Sequence, residues 1–198
     1  MELFDAGLGL YQLNFVLNIW LLGLLWRADR KHYFLAYTAF RLIATMVRFP
    51  ALLAGGMDTY TKVYWLTSGI LIFACVWILC DFFPKLTVPI SIAAVALSFM
   101  QLLHPSVALE RNVQIAMFVA SCYVLILDRR NFVAAGLAIA TLLPAVGEWQ
   151  AVLLGGTAMR FVPSLAFLLA QAVWIFGIFK QRQERVMPHG YIERHVVS

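Results

Sequence analysis

The sequence predicts an all-α, polytopic membrane protein with seven transmembrane helices. Three observations predict it. Of the 198 residues, 63% are apolar or aromatic and only 13% are charged, where soluble domains carry about 25% charged residues. The apolar residues fall into seven runs of nearly the length, about 20 residues, that a spanning helix needs. Lys and Arg concentrate on alternate links between these runs, the asymmetry that sets membrane topology. A soluble globule of this size has too little interior for so much apolar surface. That excludes a soluble enzyme, a disulfide-stapled secreted domain and a disordered chain.

The spans are expected at Leu8–Trp26, Tyr33–Ala54, Tyr60–Phe82, Leu86–Leu103, Leu109–Leu127, Phe132–Leu154 and Phe161–Phe179. The first follows acidic Glu2 and Asp5 and ends at a basic cluster, Arg27, Arg30 and Lys31. A secretory signal has the reverse polarity, so this helix is expected to stay in the membrane. The second lies between that cluster and Gly55-Gly56, and the third runs on to Phe83-Pro84-Lys85. The fourth stops at His104-Pro105-Ser106, and the fifth stops before Asp128, Arg129 and Arg130. The sixth carries Pro144, expected to kink it, and ends before Gly155-Gly156. The seventh ends at Lys180. The chain therefore divides into a seven-helix transmembrane domain, 1–179, and a short basic tail, 180–198.

Arg27, Arg30, Lys31, Lys85, Arg129, Arg130, Lys180, Arg182, Arg185 and Arg194 fall on one side of the predicted bilayer. Lys62, Arg111 and Arg160 fall on the other. Ten against three places the N-terminus outside and the C-terminus in the cytoplasm. The net charge of +5 is largely this bias, so no nucleic-acid partner is inferred. The partner that the sequence does imply is the lipid bilayer. The tail offers the surface for a further membrane or cytoplasmic protein.

An ionisable side chain deep in a span costs about 2.5–3.5 kcal/mol on insertion scales, which makes it a functional candidate. Arg41 and Arg48 are such residues in the second span, two helical turns apart and on one face. Arg48 lies about 9 Å from the outer end at 1.5 Å per residue. Glu148 in the sixth span lies at the same depth, so an Arg48–Glu148 contact is one expectation; outward snorkelling of Arg48 is the other. Arg41 has no acidic residue at its depth. Its candidate neighbours are neutral, Asn18, Ser68, Ser98, Gln114, Ser121, Thr141 and Gln171. The alternative is that it leans toward the cytoplasmic interface and packs against aromatic rings, where Asp81 near the inner end of the third span helps to neutralise it. Gln12, Asn14 and Asn18 form a polar strip on the first helix, and helix packing is the usual use of such side chains.

Other chemistry was sought residue by residue. The seventh span has no lysine for retinal. His32 and His104 lie at opposite ends of the predicted bundle, so they cannot share a haem. There is no HExxH, GxSxG or phosphate-binding glycine motif, and no pair of intramembrane aspartates. Asp58, His104 and Glu110 are read as solvated loop residues. Cys75, Cys80 and Cys122 all fall within spans and are read as packing residues. The sequence thus predicts no enzyme activity, no cofactor and no metal. The seven-helix, N-out plan is shared with transporters made of two three-helix repeats, but TMVRFP (45–50) and TAMRFVP (157–163) place their arginines at different depths and make no repeat.

The first 85 residues carry a pattern of their own. A basic cluster (Arg27, Arg30, Lys31) ends the first helix, Phe34 and Tyr37 open the second, Tyr64 and Trp65 open the third, and Asp81, Phe82 and Phe83 close it. In this pattern the chain resembles a group of small seven-helix membrane proteins of uncharacterised activity abundant in acidobacterial genomes. The resemblance implies the fold and a multi-pass location in a bacterial cytoplasmic (inner) membrane. It implies no chemistry. Relatives often carry a glutamate soon after the Tyr-Trp pair, where this chain has Ser68. The function expected from all this is a non-enzymatic sensory, scaffold or partner-binding membrane protein. The alternative is a small transporter or channel using Arg48, Glu148 and Arg41.

Overall fold

The computed structural model describes residues 2–27, 32–142 and 162–186. These are helical almost throughout, with no strand among them. In chain order the helices are α1 (Glu2–Trp26), α2 (His32–Trp77), the single turn α3 (Leu79–Phe82), α4 (Thr87–Leu103), α5 (Val107–Leu127), α6 (Phe132–Leu142) and α7 (Val162–Val186). Five stretches are long and apolar enough to cross a membrane: Gly9–Trp26, Asp58–Phe82, Pro84–Leu103, Val107–Leu127 and Ser164–Gln183. The protein is therefore an all-helical bundle of membrane-protein character. The expected continuation of the sixth span, with Pro144 and Glu148, lies outside the described residues.

The links at Pro84 and Ser106 form where the turn chemistry places them, and Gly155-Gly156 lies outside the described residues. Ser106 caps α5 by accepting from the Leu109 N–H (3.4 Å). Asn131 caps α6 by accepting from the Ala134 N–H (3.1 Å). Pro84 opens a 3-10 turn, Pro84–Leu86, where its missing N–H costs nothing. Two ends differ from the sequence expectation. The second and third predicted spans form one helical run, broken at Gly56. There φ is 69° and ψ is −172°, a combination essentially restricted to glycine. A Cβ at Gly56 would meet nothing within 4 Å, so Gly56→Ala is expected to cost of order 1 kcal/mol through backbone strain alone. Thermal unfolding in detergent should show that loss. The other difference is α7, which continues past Phe179 to Val186. Hydropathy marks where the apolar surface ends, while Lys180, Gln181, Arg182, Gln183, Glu184 and Arg185 are good helix formers.

The break at Gly56 divides α2 into two arms. The first arm pairs with α1: Tyr11 Oη donates to the Thr45 carbonyl, and the Tyr11 and Phe49 rings stack at 4.9 Å. The second arm packs along α4, where Trp77 Nε1 donates to Ser91 Oγ (3.1 Å). Helix α1 also packs beside α7, and α6 lies on α7 through Trp174. The N-terminus of α2 is held from a distance: Asp81 Oδ2 accepts from the Phe34 N–H (3.0 Å). Helix N-termini leave backbone N–H groups unpaired, and a carboxylate there satisfies one and complements the helix dipole. Asp81→Ala is expected to lower stability by about 1 kcal/mol, the usual cost of losing such a cap, as read by thermal melting.

The core is built from Leu21, Leu25, Phe34, Ile78, Leu137, Ala170 and Trp174, all essentially inaccessible. The opposite faces are apolar too. On α4, Val88, Ile92, Val95 and Phe99 point outward, and only 11% of its span is buried. A water-facing helix would be polar there, so this outward apolar surface is what a lipid environment accounts for.

Candidate functional site

The two arginines of the first α2 arm have separate seats. Arg48 crosses to the second arm. Its Nε donates to Thr67 Oγ1 (2.7 Å) and its Nη2 to the Tyr64 carbonyl (3.3 Å). The guanidinium carbon stands 4.4 Å from the Tyr64 ring centroid. Tyr64 Oη in turn donates to Glu110 Oε2 (3.0 Å) at the start of α5. The chain Thr67–Arg48–Tyr64–Glu110 therefore ties both arms of α2 to α5. Helical packing makes this reach possible: the reversal at Gly56 lays Thr67 alongside Arg48, and Tyr64 sits one turn from Thr67. Bonds from a charged donor are about twice as strong as neutral ones, and the Glu110 carboxylate supplies opposite charge through the tyrosine.

Arg41 has an aromatic seat. Its Nη1 donates to Tyr37 Oη (3.3 Å), one turn earlier on α2. Its guanidinium carbon lies 3.3 Å from the Phe167 ring centroid on α7. A desolvated cation–π contact is worth up to about 2 kcal/mol, which partly offsets burying the charge. The rings that hold Arg41 are themselves braced by Trp174, fully buried on α7. Trp174 meets Phe34 at 4.9 Å, Phe167 at 5.7 Å and Tyr37 at 6.4 Å, each edge to face. Its Nε1 donates to the Val133 carbonyl of α6 (3.1 Å). One indole thus fixes α2, α6 and α7 around the arginine.

A polar seam runs beside this seat, between α1 and α7. Asn14 Nδ2 donates to the Ser164 carbonyl (3.3 Å) and to the Leu10 carbonyl (3.0 Å). Gln171 Nε2 donates to the Asn14 carbonyl (3.2 Å). Asn18, one turn below Asn14, is 1% exposed, and Gln171 is fully buried. Among the described residues, Asn14 Oδ1, Asn18 Oδ1 and Gln171 Oε1 accept no hydrogen bond.

Of the five residues singled out from sequence, Arg41 and Asn18 fall on the adjoining helices α2 and α1, and Arg48 is seated two turns from Arg41. Asp81 caps α2 through the Phe34 N–H. Glu148, and with it the Arg48–Glu148 contact, lies outside the described residues. The residues that sequence reasoning did not select are Thr67, Tyr37, Phe167 and Trp174, together with Glu110 as a partner of Tyr64. The spacing Tyr37–Arg41, one helical turn, was a usable signal for the first aromatic contact. Phe167 and Trp174, on another helix, had none. Among the described residues no three His, Cys, Asp or Glu side chains gather as a metal site.

The chain matches no protein-family model, and neither a curated protein nor a solved structure is significantly similar to it.

Proposed function

We propose that this chain is a seven-helix protein of a bacterial cytoplasmic membrane, with its N-terminus outside and its C-terminus in the cytoplasm. In this reading it is a non-enzymatic sensory, scaffold or partner-binding protein. The resemblance of its first 85 residues to the acidobacterial group supports that setting, and membership of that group is part of the proposal. One observation carries the functional reading: both intramembrane arginines hold helices together. Arg48 is committed to Thr67, Tyr64 and, through Tyr64, Glu110, and Arg41 to Tyr37 and Phe167. Charges arranged this way brace a bundle, and a partner reached from the lipid face or the basic tail would carry the output.

A second reading, transport, is favoured by the unpartnered polar atoms inside the bundle, on Asn18, Gln171, Gln101 and Ser68. Here Arg41, Arg48 and Glu148 would line the path. Purified chain in proteoliposomes separates the two. The scaffold reading expects no ion or small-solute flux above that of empty vesicles. Flux that disappears in Arg48→Gln or Glu148→Gln would replace it with the transporter.

A further inference from the structure

The unpartnered atoms of the α1–α7 seam share one chemistry. Asn14 Oδ1, Asn18 Oδ1 and Gln171 Oε1 are all amide carbonyl oxygens, and each lacks a donor among the described residues. They belong to one place. Gln171 is tethered to the Asn14 backbone carbonyl, and Asn18 lies one turn beyond Asn14 on the same helix face. Helices α1 and α2 run antiparallel with Tyr11 beside Thr45 and Phe49, a register that puts Asn18 level with Arg41. Phe167, which carries the Arg41 guanidinium on its ring, precedes Gln171 by one turn of α7. Arg41 has five N–H donors, and among the described residues it donates to Tyr37. Donors without acceptors and acceptors without donors thus converge from three helices.

The chemistry of an occupant follows. A metal cation would satisfy the oxygens but be repelled by Arg41, with no recorded acidic side chain at the seam to offset it. An anion would suit Arg41 but face three carbonyl oxygens. What fits both is a group that donates and accepts, and that is small enough for a packed interior. We infer that water occupies this seam, bridging the Arg41 guanidinium to the amide oxygens of Asn14, Asn18 and Gln171. Water needs two to four polar partners, and the seam supplies them. The inference is independent of whether the protein braces, senses or transports.

Water-edited solid-state NMR of the full chain in lipid bilayers tests it, with the Asn and Gln side-chain amides and the Val and Ile side chains labelled. The Asn18 and Gln171 signals are expected to receive magnetisation from water about fivefold faster than the lipid-facing Val16 and Ile19 sites, as bound bridging water would impose. Equal build-up overturns the inference. Thermal stability gives a second measurement. Leucine keeps the branched heavy-atom skeleton of asparagine, and replacing dry, unpartnered polar groups by apolar ones is neutral or stabilising. Asn18→Leu is therefore expected to lower the melting temperature and to slow water transfer to Arg41. A raised melting temperature with transfer unchanged would show a dry seam.

Discussion

Gly136→Ala should detach α6 from α7 and lower stability by about 3 kcal/mol, the upper part of the range for overpacking. A Cβ at Gly136 would fall inside the Trp174 indole. The indole has nowhere to go: its N–H is bound to the Val133 carbonyl, and three aromatic rings surround it. Gly177→Ala should act the same way from the other helix, since its Cβ would meet Cβ and Cγ of Phe132. Those atoms sit next to the backbone, so no rotamer change relieves the overlap. Against this, alanine gains roughly 0.5–1 kcal/mol over glycine in a helix interior, too little to compensate. Gly23→Ala is the control. Its Cβ would meet nothing within 4 Å, so the propensity gain should act alone and stability should hold or rise. Thermal unfolding in detergent compares the three. Equal stability of Gly136→Ala and the unmodified chain would mean that α6 is not packed through this contact.

The membrane character and the helical fold were legible because they follow from bulk properties. An apolar run reports burial in lipid or core without reference to any other residue. Turn chemistry is local as well, which is why Ser106 and Pro84 mark real ends. The errors came where a local signal had two physical outcomes. Gly55-Gly56 signals a turn, yet helix resumes at once because only Gly56 takes the non-helical conformation. The basic residues after Phe179 signal the membrane boundary, yet they propagate the helix.

The site was legible by half. A charge in an apolar run is conspicuous, so Arg41 and Arg48 stood out. Aromatic packing was one of the two expectations for Arg41, but the particular rings did not stand out, and for Arg48 opposite charge at equal depth pointed to Glu148. The recorded partners are a hydroxyl, a backbone carbonyl and aromatic faces. Such groups occur throughout a membrane sequence, and only the tertiary fold selects Thr67 or Phe167 among them. Glu110 was read as a loop residue because it opens α5, and its bond to Tyr64 depends on how α5 packs against α2.

Trp174→Ala should cost about 3–5 kcal/mol, the usual range for emptying a large aromatic site in a core. The indole is fully buried, so the surrounding helices must either leave a cavity or collapse into it. Trp174→Phe separates two contributions. It keeps an aromatic ring and loses the N–H···O=C bond to Val133. That carbonyl is also placed to accept the helical bond within α6, so no buried acceptor is stranded. The expected cost of Trp174→Phe is therefore about 1–2 kcal/mol, a net hydrogen bond plus a small packing defect. The larger variant has a functional consequence as well. Phe167 and Tyr37 are both braced edge-on by this indole, and both hold Arg41. Without it, the guanidinium loses its fixed platform and its cation–π contact becomes one of several orientations. Melting curves give the stability loss, and NMR of the labelled Arg41 guanidinium gives the second effect. A single sharp Arg41 environment retained in Trp174→Ala, despite the lost stability, would show that Phe167 and Tyr37 seat the arginine without help from the indole.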